Sequence, residues 1–212
     1  MKRQNASSRE KLLRSAEALF ASKGYREVSV REIASHAGVN SALVAYYFRS
    51  KQQLFNQVYR MHTIPLARER MKMLSAAMRN GNRPSLEEIL KAWIFPWLQP
   101  GLNPKERALQ LRLTANLSVE RWERLKKGSP YLQRTHHAFL KALRSRLPHL
   151  SNETLMWRLH FIVGAIAFGV RAPNSLLGLS RGKCDPRDLE ATFVQILPYA
   201  AAGFRAREAY KR

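Results

Sequence analysis

The sequence predicts an all-α protein of about nine helices: a compact N-terminal three-helix cluster followed by a larger C-terminal helical bundle. Three observations predict it. Apolar residues recur at three- and four-residue spacing almost throughout, the period of a helix buried on one side, and alternating strand-like runs are nearly absent. Ser-Xaa-Xaa-Glu/Gln signatures, in which a serine oxygen accepts from an orphan first-turn amide, open one segment after another. Gly24, Gly38, Pro104, Pro148 and Pro186 fall at the segment ends where helices use such residues.

Taken in order, Ser7 with Glu10 opens the first helix, Leu12, Leu13, Ala16, Leu19 and Phe20 form its apolar stripe, and Gly24 stops it. Ser29 with Glu32 opens a short second helix over 30–36. Ala37-Gly38-Val39 makes a tight turn, Asn40 caps again, and 41–47 is the third helix. Ser50 with Gln53 starts a long fourth helix carrying Leu54, Phe55, Val58 and Tyr59. Pro65 is expected to kink or end it, since proline lacks the amide donor and crowds the preceding turn. Asn80-Gly81-Asn82 reads as a loop. Ser85 with Glu88 caps a helix through Leu98, interrupted by Pro96, and Asn103-Pro104 starts another to about Leu117. Residues 130–147 form the next, closed by Pro148. Ser151 opens the most apolar helix, to about Ala172. A loop rich in Gly, Ser and Pro follows, and Asp185-Pro186 starts a last helix to about Tyr210, with Pro198 inside it. This organisation divides the chain into residues 1–50 and residues 51–212.

Of the 212 residues, 45% are hydrophobic and 25% charged, enough for a packed core and too apolar for a disordered tail. Lys and Arg number 37 against 15 Asp and Glu, a net charge of +22 that makes a polyanion the first partner to consider. The excess is spread along the chain: +7 over residues 1–60, +11 over 61–150 and +4 over 151–212. Cys184 is alone, which excludes a disulfide framework. The longest apolar run, 159–170, is shorter than the ~20 residues of a membrane span. The basic start is not followed by an apolar signal core. A soluble, cytoplasmic protein is expected.

The chemistry concentrates in residues 29–51. Two short helices joined by a glycine-containing turn form a helix-turn-helix. Ile33, Ala34, Val39, Val44 and Phe48 supply the locking apolar faces. Ser41, Ala42, Leu43, Ala45 and Tyr46 then face outward, small and apolar groups plus a tyrosine that suit thymine methyls and base edges in a major groove. An ordinary helical hairpin is the bland alternative.

Gly24-Tyr25, Ser-Val-Arg-Glu-Ile-Ala at 29–34, Ala-Gly-Val at 37–39 and Tyr-Tyr-Phe-Arg-Ser-Lys at 46–51 resemble the N-terminal domain of TetR-type transcriptional regulators, in detail over about residues 8–60. The resemblance implies a homodimer with two DNA-binding heads on a double-stranded, palindromic operator. It also implies a helical C-terminal body with a small-molecule pocket, and repression relieved by the ligand. By position, Ser29 would cap a helix and bond a phosphate, and Arg31 would contact a base or phosphate. Asn40 and Ser41 open the recognition helix, Ala42 stands where glycine is common and Leu43 where a base contact is common. Tyr47 and Lys51 match phosphate-binding positions, beside the positive end of the fourth helix. The family usually has tyrosine where this chain has Ala45, and Tyr46 is read as the replacement groove contact.

In the body, Trp93, Trp97, Trp122 and Trp157 with several phenylalanines could line an effector cavity, with Arg112, His137, Arg158 and His160 as polar anchors. Burial as ordinary core is the alternative for each. No metal or cofactor is expected, because no HExxH or Cys/His cluster exists and the adjacent His136 and His137 point to different faces of a helix. The helix around Gly164 is apolar nearly all round. The resemblance implies that it and the last helix make the dimer interface, through Gly164, Phe168, Phe193, Ile196 and Ala200. The stretch Leu-Pro-His-Leu-Ser, followed by Met-Trp-Arg-Leu-His-Phe, resembles regulators that respond to fatty acids or acyl thioesters. With a basic body, this leads to an anionic amphiphile as effector and no membrane partner.

Two other classes stay open on the sequence alone. One is a helical enzyme using His137 or His160 as base, although no nucleophile or cofactor motif is visible. The other is a lipid- or acyl-binding module using the aromatic cavity.

Overall fold

The computed structural model describes residues 7–79, 83–98, 111, 113 and 129–208. The chain falls into two compact units, Met1–Thr63 with Asn103–Leu125 and Ile64–Leu102 with Lys126–Arg212. The described residues form nine helices and no strand. They are α1 Ser8–Lys23, α2 Val30–Ala37, α3 Ala42–Phe48, α4 Lys51–Arg79, α5 Leu86–Leu98, α6 Pro130–Arg146, α7 Asn152–Arg171, α8 Pro173–Leu179 and α9 Leu189–Arg205. The helix expected from Asn103 lies outside the described residues, apart from the buried helical positions Leu111 and Leu113. No single described helix is long and apolar enough to cross a membrane.

The first unit is built from local signals. At α1 the Glu10 amide donates to Ser7 Oγ (3.3 Å) and the Ser7 amide donates back to Glu10 Oε2 (3.1 Å), so two orphan donors are satisfied reciprocally. Gly24 ends the helix at φ 84°, its amide donating to the Phe20 carbonyl. Leu12, Ala16 and Phe20 of α1 are buried, as are Ile33, Ala34, Val44 and Phe48 of α2 and α3 and Leu54, Phe55, Val58 and Tyr59 of α4. Phe20 meets Phe55 edge-on at 5.1 Å, and Phe55 meets Tyr25 at 4.7 Å. His62 Nε2 lies 2.6 Å from Glu17 Oε1, tying α4 to α1.

Pro65 does not end the helix, for α4 runs through it as one element. A proline inside a helix costs ~3 kcal/mol, while burying a single Leu or Val contributes ~1.5–3 kcal/mol. Several buried side chains on each side, among them Val58, Leu66 and Leu74, outweigh one lost hydrogen bond.

In the second unit α5 lies against α9 and α6, α6 against α7, and α7 against α9 and α8. Ile89, Trp93, Phe139, Leu143, Leu155, Ile162, Ile166, Ile196, Ala200 and Phe204 belong to its continuous apolar core. Two boundaries differ from expectation. The last helix starts at Leu189 with Asp188 as its cap, accepting from the Ala191 amide at 3.0 Å, while Asp185 instead pairs with Arg187. The stretch read as loop contains α8, whose Pro173 occupies the first turn, where its missing amide costs nothing.

Candidate functional site

The helix-turn-helix turns on Gly38, which adopts a left-handed conformation (φ 65°, ψ 37°). Its amide donates to the Ser35 carbonyl and the Val39 amide to that of Ala34, both at 3.0 Å. A Cβ at Gly38 would meet nothing within 4 Å, so glycine is needed there for conformation rather than for space. Asn40 Oδ1 then accepts from the Ala42 amide at 2.9 Å and caps α3. With Val44 and Phe48 turned into the core, Ser41, Ala42, Ala45, Tyr46 and Tyr47 are exposed and Leu43 is half-buried. Tyr46 is 77% exposed and stands edge-on to Tyr47 at 4.9 Å.

Cations surround this uncharged helix. Arg31 is exposed in the first turn of α2. Lys51, the first residue of α4, holds its Nζ 4.3 Å from the centre of the Tyr25 ring and donates to the Arg26 carbonyl at 3.5 Å. The aromatic face restrains the ammonium without neutralising it. Ser29 Oγ accepts from the Glu32 amide at 3.0 Å, which leaves its hydroxyl proton able to donate to a phosphate. Glu32 is held below the usual carboxylate range, first by the hydrogen bond from Lys23 Nζ (2.6 Å). That pairing offsets a negative charge that would otherwise repel a polyanion. Arg49, which the sequence reading missed, ends α3 with φ 63°, a left-handed conformation costly for a side chain with a Cβ. Only the backbone reveals it.

Of the residues expected to line an effector cavity, Trp93 and Trp97 lie together on α5 and Trp157 and His160 together on α7, while His137 stands apart from both pairs. Trp93 and Trp97 are buried side by side on α5. His137 is exposed, its Nδ1 3.4 Å from the Gln133 carbonyl. Trp157 and His160 are on the exposed side of α7, where Trp157 stacks on Phe161 at 5.7 Å. Arg158 donates to the carbonyls of Phe204 (2.7 Å), Ala206 (2.9 Å) and Arg207 (3.3 Å), satisfying the C-terminal end of α9. Arg112 and Trp122 lie outside the described residues.

Beside Trp93 and Trp97 lies Arg70 of α4. Its Nε donates to the Trp93 carbonyl at 2.8 Å, and its guanidinium carbon is 3.8 Å and 5.1 Å from the two ring centres. His136 and Phe139 of α6 meet Trp93 edge-on at 5.0 Å and 4.9 Å. Helical spacing could have found both polar residues. Arg70 is four residues from buried Leu66 and from buried Leu74, and His136 is four beyond Leu132 and three before Phe139.

The residues expected to pair two copies fall into two groups within the chain. Ile196 and Ala200 are buried in the chain's own core, and Phe193 packs edge-on to Phe95 at 5.2 Å, because the apolar stripe of α9 faces α5. Gly164 and Phe168 are exposed, and with Trp157 and Phe161 they form one stripe along α7 at spacings of four, three and four residues. Val194 and Tyr199 of α9 are exposed as well.

Arg158 gives a direct check on these placements. Arg158→Met should destabilise the second unit by ~1–3 kcal/mol, because it strands carbonyls at the end of α9. A thermal melt reads this, and an unchanged Tm would contradict the capping role.

Comparison with known proteins finds two family matches along the chain. A family profile described as "Bacterial regulatory proteins, tetR family" matches residues 12–58. One described as "Tetracyclin repressor-like, C-terminal domain" matches residues 91–203. The probable HTH-type transcriptional regulator YttP of Bacillus subtilis is 34% identical over 93 residues, 42% of this chain and 41% of that protein. The HTH-type transcriptional repressor KstR2 of Mycolicibacterium smegmatis is 40% identical over 57 residues, 27% of this chain and 28% of that protein. The matched stretches therefore span less than half of either relative. Among solved structures, the fatty acid degradation regulator FadR from Bacillus halodurans aligns with 97% of this chain and 100% of its own, at TM-score 0.54 and 17% identity. A TetR-family regulator from Bordetella parapertussis aligns over 94% of both chains, at TM-score 0.60 and 16% identity. At these identities the likeness is one of fold.

Proposed function

Since this chain belongs to the TetR family of bacterial transcriptional regulators, we propose that it is a homodimeric, sequence-specific repressor that leaves a palindromic operator when a small amphipathic effector binds. The observation that carries the DNA-binding part is α3 itself. It is an uncharged helix with Tyr46 projecting into solvent, flanked by Ser29, Arg31 and a Lys51 held in place by Tyr25. An uncharged reader among positioned cations separates base contact from phosphate contact. Membership in a family of regulators argues against the helical-enzyme reading. The protein acts in the cytoplasm, where its operator is.

In this proposal residues 1–50 read DNA, while residues 51–212 bind effector and partner. Helix α4 belongs to both compact units and is the element through which a ligand would bias the spacing of the heads. The effector is an anionic amphiphile, such as a fatty acid, acyl thioester or aromatic acid, because residues 61–212 carry +15 although the DNA-reading segment lies elsewhere. It releases the operator only as far as it prefers one head spacing over the other.

Two substitutions test the division of roles. Tyr46→Ala should relax base preference by ~1–3 kcal/mol. Lys51→Ala should weaken binding to every duplex alike and flatten the salt dependence by about one phosphate contact. Identical behaviour of the two variants on specific and random DNA would sink the assignment.

A further inference from the structure

We propose that Arg9 and Arg49 are further contacts to the DNA phosphate backbone, both placed at Phe48, the last residue of α3. This rests on the DNA-binding reading above and brings α1 onto the DNA-reading face, which the helix-turn-helix pattern leaves out. Arg9 lies in the first turn of α1, half-buried, with its guanidinium carbon 5.5 Å from the centre of the Phe48 ring. Arg49 follows Phe48 directly and is exposed. Neither pairs with a carboxylate among the described residues. Glu10, beside Arg9 in sequence, turns its carboxylate to the Ser7 amide instead, at 3.1 Å. Two cations at one corner without a counter-charge are complementary to a polyanion.

The backbone at Arg49 is an independent observation. Arg49 has φ 63° and ψ −36°, and the Ser50 amide donates across it to the Phe48 carbonyl at 2.7 Å. That is a γ-turn of the strained hand. It costs any residue with a Cβ, and glycine would adopt it freely. The turn closes through backbone atoms alone, so what arginine adds there is a long exposed cation. Strained residues of this kind collect at functional sites. The position also suits a helix lying in a major groove. Such a groove is ~12 Å wide and bordered by phosphates, so a helix facing the bases brings its flanks to the backbone. Tyr47 links the two places, its ring 4.9 Å from Tyr46, the exposed reader, and 6.3 Å from Phe48. The Phe48 ring restrains Arg9 without neutralising it, and a guanidinium meets a phosphate with paired hydrogen bonds.

The test is fluorescence anisotropy of a labelled random-sequence duplex with the full-length protein, at salt concentrations from ~50 to ~200 mM. Wild type, Arg9→Gln, Arg9→Lys and Arg49→Gly are compared, each with a thermal melt. Arg9→Gln and Arg49→Gly should each weaken binding and flatten the slope of log affinity against log salt by about one. Arg9→Lys keeps the charge and should keep the slope. Arg49→Gly should lower affinity while leaving the melting midpoint unchanged or raised, because it relieves the turn. A residue held only for structure cannot give that pair of results. An unchanged slope in either Arg9→Gln or Arg49→Gly would overturn the proposal, as would a lowered midpoint in Arg49→Gly or a slope lost equally in Arg9→Lys. A wild type with a steep slope that both variants retain defeats these contacts alone. A wild type that retains no duplex even at ~50 mM salt defeats the regulator reading itself.

Discussion

Gly164→Trp is expected to convert a homodimer into a monomer and to weaken operator binding by roughly two to four orders of magnitude, the range lost when two linked heads become one. The position is unusually clean. A Cβ built on Gly164 meets nothing within 4 Å, so the chain itself has room for a side chain. The same residue sits in the middle of the exposed stripe of Trp157, Phe161 and Phe168, the last 65% exposed. An apolar stripe of this kind on a folded chain is the signature of an interaction surface. An indole at its centre holds the facing helix away and removes the close packing that an interface core requires. Sedimentation at micromolar concentration reads the assembly, and a melting curve confirms that the fold is kept. Ile196→Ala is the contrast, because Ile196 is buried in the chain's own core. It should lower stability by ~2–5 kcal/mol without selectively breaking the dimer. A wild-type protein that sediments as a monomer would contradict the interface.

Phe20→Ala is expected to cost the N-terminal unit ~3–5 kcal/mol, the range for deleting a buried aromatic ring. Phe20 is 1% exposed, edge-on to Phe55 at 5.1 Å and 5.9 Å from Tyr25. Whole domains are stable by only ~5–15 kcal/mol, so this single cavity approaches the full stability of the unit. Function goes with it, since Tyr25 is the ring that restrains Lys51 and Phe55 holds both aromatics together. Chemical denaturation should show an early transition in the variant, and DNA binding should fail on specific and random duplexes alike. A loss below ~1 kcal/mol would mean that the site relaxes far more than buried aromatic sites do.

What could be read in advance follows the range of the physics involved. Ser7 with Glu10, Ser29 with Glu32 and Ser85 with Glu88 were legible because a capping box is complete within four residues, and all three are present with both hydrogen bonds. Gly38 was legible because a turn of that shape demands it locally. Pro65 does not end α4 because its local cost is offset by burial on both sides, which no local signal reports. The last helix packs its apolar stripe on α5, which the sequence does not reveal, since an apolar face does not say what covers it. The tryptophans and Arg70 show the same limit. Trp157 and Trp93 have the same composition and opposite exposure, and Arg70 was hidden among 37 basic residues until its neighbours were known.

The most direct measurement of the central claim is to let the purified protein select from a random pool of duplex DNA and to sequence what it retains. Two copies of one head on one duplex require a two-fold symmetric site. The selected population should therefore converge on an inverted repeat, and the Tyr46→Ala protein should recover the same half-site spacing with weaker base preference. No enriched sequence, or a single asymmetric site retained equally well by the Gly164→Trp protein, would contradict a dimeric, sequence-reading regulator.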